Sequence, residues 1–208
     1  MVLGIDFDNT IVSYEGVFHR IAIEDGLIPK SLSTSKGAVR DYLRDLDQED
    51  IWTEMQGLVY GTKMDMANPY PDVINFFKFS KKAQLPTRII SHKTLYPFKG
   101  ERNNLHESAS NWLKNHGFFE SFGIGMDRNN IFFETTQEAK INRIQKTGCT
   151  HFIDDLPEFL LHPNFPNEVE RWLFDPVGIH KNLDELRRFK SWNEIRLQVA
   201  KNLVTVDD

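Results

Sequence analysis

The chain has a single cysteine, Cys149, among 208 residues. One thiol can neither close an intrachain disulfide nor build a cysteine metal cluster, so a reducing, cytoplasmic setting is expected. No apolar run is long enough to span a bilayer. The first strand-like run opens near Val2 and meets a charge at Asp6, so no secretory peptide is expected ahead of the fold. An excess of positive charge is also missing. The formal net charge is -5 and the lysines and arginines are scattered, so neither a membrane surface nor nucleic acid is an expected partner. The histidines show no metal-ligand spacing, and Gly123-Ile124-Gly125 lacks the strand-turn-helix context of a nucleotide-binding loop. There is no internal repeat and no low-complexity tract. What remains is the composition of a soluble globular protein, 40% hydrophobic and 26% charged, with enough chain for one large domain or a domain plus a small insert.

The most informative segment is the run Val2-Leu3-Gly4-Ile5-Asp6-Phe7-Asp8-Asn9-Thr10. Val2, Leu3 and Ile5 read as a buried parallel strand. Strand alternation would point Asp6 and Asp8 the same way from its carboxyl end, where open α/β sheets hold their ligands. Two carboxylates held together there repel one another unless a cation lies between them or one keeps a proton.

Beyond Thr10 the apolar period changes from strand to helix. Phe18, Ile21 and Ala22 mark a first helix closing near Gly26, and Val39, Tyr42, Leu43 and Leu46 mark another. Ile51, Met55, Leu58 and Val59 repeat in the same way. The stretch from about Ser13 to Ala67 therefore reads as helical, and Asn68-Pro69-Tyr70-Pro71 ends it. From Asp72 onward helices and strands alternate. Helices are expected over Val73–Lys82 and from Glu107 to His116, the latter ended by a left-handed Gly117. Thr135 and Glu138 suggest a capping box for a helix through Ile141 and Ile144, and Ser191 and Glu194 one for a last helix. Strands are expected at Arg88–Ser91, Ile131–Glu134, His151–Asp154 and Arg171–Phe174. The implied architecture is α/β: a mainly parallel, Rossmann-like sheet with helices on both faces and a small helical cap inserted after the first strand. The expected division is a core of 1–12 and 70–208 and an insert of 13–69.

Four of these strands end in a polar residue at one sheet edge: Asp6, Ser91, Glu134 and Asp154. Asp8 follows the first of them, Asp155 the last, and Lys140 lies early in the helix after Glu134. Carboxylates without histidine or cysteine suit a hard cation, Mg²⁺ before Zn²⁺.

In this order the residues resemble the motifs of the haloacid dehalogenase superfamily, in its phosphatase branch. Asp6, Asp8 and Thr10 match the opening Asp-x-Asp-x-Thr, and Ser91 matches the hydroxyl that ends a later strand. Lys140 matches the helix lysine, and Asp154 with Asp155 the closing acidic pair. The resemblance covers roughly residues 1–10 and 72–174, and the insert falls where that family places a cap. It implies a Mg²⁺-dependent phosphatase acting on a small phosphorylated metabolite, with the cap selecting the substrate. Asp6 would be the nucleophile and Asp8 the acid and base. Thr10, Ser91 and Lys140 would bind phosphate, and Asp6, Asp8 (through its main-chain carbonyl), Asp154 and Asp155 would hold the metal. A second carboxylate at Asp8 argues for phosphoryl transfer, because members of the family that cleave carbon-halogen bonds lack it.

Plainer readings stand beside these. Asp155 also suits a helix N-cap ahead of Leu156-Pro157, and Lys146 rivals Lys140, which early helix position favours. Glu134 reads as structural. His92 and Lys93 directly follow Ser91 and are candidates for substrate contact, with a surface-loop role as the alternative. Arg40, Arg44 and Lys63 read as a solvated face. A phosphotransferase, or a non-catalytic binding or regulatory protein, would use the same fold.

Overall fold

Leu3, Gly4 and Ile5 are all buried, and a three-residue strand with no exposed position belongs in the middle of a covered sheet. The computed structural model describes residues 1–180, 183 and 185–204; the last four positions of the expected core, 205–208, lie outside them. In chain order the elements are β1 (Leu3–Ile5), β2 (Val12–Ser13), α1 (Val17–Glu24), α2 (Lys36–Asp45), α3 (Glu49–Tyr60) and β3 (Asn68–Pro69). They continue with α4 (Val73–Lys82), β4 (Thr87–His92), α5 (Leu105–Asn115), β5 (Ile131–Glu134), α6 (Gln137–Lys146) and β6 (His151–Asp154). The last are α7 (Pro157–Leu160), β7 (Glu170–Phe174), β8 (Arg187–Phe189) and α8 (Trp192–Val204).

Six strands form one sheet in the order β5-β4-β1-β6-β7-β8. Their pairings are parallel, and β1 lies between β4 and β6 with Ile5 in register with both Ile89 and Ile153. Side-chain alternation sends neighbouring residues to opposite faces. Ile90, Phe152 and Leu173 pack with Ile141 and Ile144 of α6 and Phe159 and Leu160 of α7. On the other face Phe174 meets Trp192 of α8, and Trp192 meets Phe76 and Phe77 of α4. The sheet is thus covered on both faces, as the alternation of elements requires. No described helix is long and apolar enough to cross a membrane.

The chain divides into two compact units. One holds the sheet and comprises Met1–Val12, Pro69–Lys93 and the described residues from Gly117 on. The other comprises Ser13–Asn68 and Thr94–His116 and contains α1, α2, α3 and α5. Residues 94–116, counted with the core in the sequence reading, group here with the insert. Leu105, Ala109, Trp112 and Leu113 form the buried stripe of α5, and the Trp112 indole donates to Ala67 O at 2.9 Å. A stripe at helical spacing shows that a helix is amphipathic, not which surface it meets.

Other differences are local. Thr136, not Thr135, caps α6, its hydroxyl accepting from Ala139 N at 3.1 Å. Residue N3 is then Ala139, which has no side-chain acceptor, so no reciprocal capping box forms. At α8 the expected device is present in a shifted form: Ser191 Oγ accepts from Glu194 N, while the Glu194 carboxylate accepts from Lys190 N. The edge strand β8 carries two exposed arginines and so has no apolar run to announce it. β2 and β3, two residues each, form a separate two-stranded sheet, and Val12 of β2 also makes a parallel bridge to Asp8.

Candidate active site

β1 ends at Ile5, and the chain turns at once. Phe7 is fully buried, and its carbonyl accepts from both Ile11 N and Val12 N at 3.0 Å. Asn9 takes a left-handed conformation (φ 56°), which asparagine adopts more readily than most residues. Asp6 and Asp8 therefore sit in a tight loop rather than on a strand, and strand alternation does not govern them. The register places Asp6 one step beyond Ile5, as Asp154 lies one step beyond Ile153, and Asp6 N donates to Ile153 O at 2.9 Å.

Asp6 Oδ1 accepts from Ser91 Oγ at 2.9 Å and from Lys140 Nζ at 2.6 Å. The same ammonium lies 2.6 Å from Asp154 Oδ2, so Lys140 links two carboxylates that would otherwise face each other unscreened. Lys140 is only 3% exposed and lies 4.1 Å from the centroid of the Phe159 ring. Burial disfavours its ammonium, but Asp154 and Asp6 more than offset that and hold its pKa above the ordinary value. Asp154 is fully buried, and its second oxygen accepts from Leu156 N at 2.9 Å. Burial pushes the Asp6 carboxyl up to about 7; Lys140 opposes this rise, while Asp154 and Asp8 add to it.

Asp155 does not cap α7, whose N-cap residue is Leu156 with no side-chain bond. It accepts a long hydrogen bond from Thr10 Oγ1 instead, at 3.4 Å. Carboxylate oxygens of Asp6, Asp154 and Asp155 lie within 4.8 Å of one another. An all-oxygen set of this kind fits a hard cation such as Mg²⁺. The Asp8 side chain stands outside that group, paired at 2.7 Å with Lys93 Nζ.

Asp6, Ser91, Lys140 and Asp154 thus form one hydrogen-bonded cluster, Asp155 joins it through the carboxylate group, and Asp8 stands beside it with its own cation. Thr10 is fully buried, its hydroxyl on Asp155. His92 is exposed, with Nε2 3.2 Å from Thr135 O, and burial of part of its ring lowers its pKa. Lys93 is 4% exposed, which removes the surface-loop alternative for it. Glu134 pairs with Arg143 at 2.7 Å, a structural contact. Trp192, which nothing in the sequence tied to the site, donates its indole N–H to Thr10 O at 3.0 Å.

The fold is that of the haloacid dehalogenase superfamily of hydrolases. Among solved structures similar to the chain is a family IA, variant 3 hydrolase of that superfamily from Entamoeba histolytica, with TM-score 0.60 and 15% identity over 98% of this chain and 99% of the other. A family hydrolase from Deinococcus radiodurans, with bound phosphate and sodium, gives TM-score 0.60 and 15% identity over 97% and 96%. A putative hydrolase of the superfamily from Bacillus subtilis, bound to magnesium, gives 0.57 and 13% over 95% and 97%. At such identities the likeness is one of fold. No protein-family model and no curated protein matches the sequence.

Proposed function

We propose that the protein is a Mg²⁺-dependent phosphatase that hydrolyses a phosphomonoester, of a small phosphorylated metabolite, through an aspartyl-phosphate. The observation that carries this reading is the oxygen cluster of Asp6, Asp154 and Asp155 around a buried, hydrogen-bonded Asp6. With Asp8, four carboxylates meet two ammoniums, Lys93 and Lys140, which leaves a formal charge of -2 for a divalent cation to balance. Asp6, the Asp8 carbonyl and Asp154 would hold Mg²⁺, with Asp155 orienting its neighbours. When bound, Mg²⁺ offsets the repulsion between the attacking carboxylate and the phosphate.

In the first half-reaction an Asp6 carboxylate oxygen attacks phosphorus and the ester P–O bond breaks. The leaving oxygen takes a proton from Asp8. In the second, ionised Asp8 removes a proton from water, whose oxygen attacks phosphorus and releases Asp6. Ser91 and Lys140, both already on Asp6, donate to the phosphoryl oxygens as their charge redistributes. Lys93 is assigned to holding the Asp8 carboxylate in place, and Thr10 to orienting Asp155. His92 is the member of the His92-Lys93 pair left to meet substrate. Asp8 also weighs against cleavage of carbon-halogen bonds, which calls for no proton on the leaving group.

Hydrolysis of an aryl phosphate with Mg²⁺, and its loss in EDTA, tests the reading. Asp6→Asn should abolish turnover while the protein stays folded. Wild type that is inactive with every divalent metal across a broad phosphoester panel would defeat the proposal. Product analysis with an added alcohol separates hydrolysis from transfer to that alcohol.

A further inference from the structure

We infer that Trp192, at the start of the last helix, is a positioning residue for the aspartate loop and, through Thr10, for the metal-side carboxylates. The inference rests on the phosphatase reading above for its catalytic consequence. Its structural basis is independent of that reading.

Trp192 is fully buried, and its indole N–H donates to Thr10 O at 3.0 Å across 182 residues of sequence. Thr10 is fully buried as well, so a carbonyl deprived of that donor has no solvent to replace it. The Thr10 hydroxyl reaches Asp155 Oδ1 at 3.4 Å, and Asp155 shares its oxygen group with Asp6 and Asp154. One threonine thus receives the indole on its carbonyl and donates to the metal-side cluster from its hydroxyl.

The loop needs such an anchor. Between Ile5 and Val12 it includes a left-handed Asn9, a conformation that asparagine tolerates better than most residues but that still costs some free energy. Its inner bonds run from Ile11 N and Val12 N to Phe7 O. They close the turn upon itself; from outside it, Tyr70 N donates to Ile11 O at 2.9 Å and the Trp192 indole donates to the preceding carbonyl, that of Thr10. The indole is itself held by Phe76 and Phe174, at ring-centroid distances of 4.9 Å and 5.7 Å. The donor therefore approaches Thr10 from a rigid aromatic cluster rather than from a mobile side chain.

Trp192→Phe keeps an aromatic ring and removes the donor. Val199→Ala truncates a buried core residue of the same helix and leaves the indole N–H and its ring neighbours in place. With an aryl phosphate and Mg²⁺, Trp192→Phe should lower kcat on the order of ten- to a hundredfold, the range for a misplaced reacting group, and change KM less than about threefold. Its apparent Mg²⁺ affinity should also fall. Val199→Ala should lower the melting temperature and leave kcat close to wild type. Equal kcat losses in both variants, or none in a folded Trp192→Phe, would overturn the inference.

If wild type proves inactive on every phosphoester, the phosphatase reading fails by itself. The inference is then decided by the ¹⁵N-indole resonance of Trp192, assigned from its absence in Trp192→Phe. A shift of that resonance on adding Mg²⁺ alone supports the link to the carboxylate cluster. No shift at a Mg²⁺ concentration that calorimetry shows to be saturating, or no Mg²⁺ binding at all, rejects it.

Discussion

The ammonium of Lys93 lies 2.7 Å from a carboxylate oxygen of Asp8, with the lysine side chain 3% exposed and the aspartate 20%. Lys93 stands two residues beyond Ser91 and Asp8 two beyond Asp6, so the carboxyl ends of the neighbouring strands β1 and β4 each bring one residue to the cluster and one to this pair. The two aspartates of the opening motif are therefore served by different lysines, Asp6 by Lys140 and Asp8 by Lys93.

Replacing Lys93 by Met keeps the aliphatic length and leaves Asp8 without that cation. The substitution should destabilise the protein by about 1–3 kcal/mol, the cost of a half-broken pair in which one partner still touches water. Urea unfolding at pH 7 measures it. If Lys93 orients Asp8, kcat should fall more than KM rises. A large rise in KM alone would instead make Lys93 a substrate contact.

Asp6 gives the metal-free protein a pH signature. Its carboxyl sits at about 7 in the folded chain against 3.8 in the ordinary state, mainly because it is buried. Between those values the folded form holds a proton that the unfolded chain has released. This group's contribution is thus fully present below about pH 4 and is lost as pH rises toward 7, a total on the order of 4 kcal/mol. In EDTA, urea unfolding should show this downward slope in wild type and its absence in Asp6→Asn. Mg²⁺ displaces the same proton, so calorimetry should find affinity rising up to about tenfold per pH unit below 7 and levelling above it.

Asp8→Asn removes the proposed proton carrier but keeps a similar shape. Turnover should fall by about 10²–10⁴ for alkyl phosphates, the usual range for general acid-base catalysis. The loss should be smaller for aryl phosphates, whose leaving groups need less protonation. Steady-state rates on one ester of each kind check the difference, and equal rates for wild type and variant would remove Asp8 from the mechanism.

Gly4 matters because of what surrounds it. A Cβ there would fall 2.5 Å from a Phe152 ring carbon and 2.9 Å from Cys149 Sγ. Gly4→Ala should therefore cost about 1–3 kcal/mol as overpacking, read as a lowered melting temperature. Because Gly4 is two residues before Asp6 on the central strand, kcat should drop as well. A melting temperature equal to wild type would show that the ring moves aside freely.

The positions of the site were legible where a local pattern carried them. Asp6, Ser91 and Asp154 end apolar runs, and Lys140 opens a helix, so chain order and period located them without any contact being known. The same reasoning misplaced the cap of α6 by one residue, because Thr135 and Thr136 are adjacent and only backbone geometry separates them. It also treated Asp6 and Asp8 as strand residues, since the turn at Phe7 and the left-handed Asn9 leave no mark in a hydrophobic pattern. Lys93 looked like a loop residue for a related reason: its main chain continues the β4–β5 ladder one step past His92, Glu134 O accepting Lys93 N at 2.8 Å, and its side chain is buried against Asp8, a partner 85 residues away in the sequence.

By itself the sequence determined the alternation of strands and helices, the parallel sheet and the set of polar residues at its carboxyl edge. These follow from periods of two and 3.6 residues and from the short range of turn chemistry. Only the tertiary structure decided which carboxylate meets which ammonium, that α5 groups with the insert, and that an indole from the last helix reaches the aspartate loop. Those contacts join residues 85, 134 and 182 apart in the cases of Ser91 with Asp6, Lys140 with Asp6 and Trp192 with Thr10. At such separations no local period links the partners; register and core packing choose them.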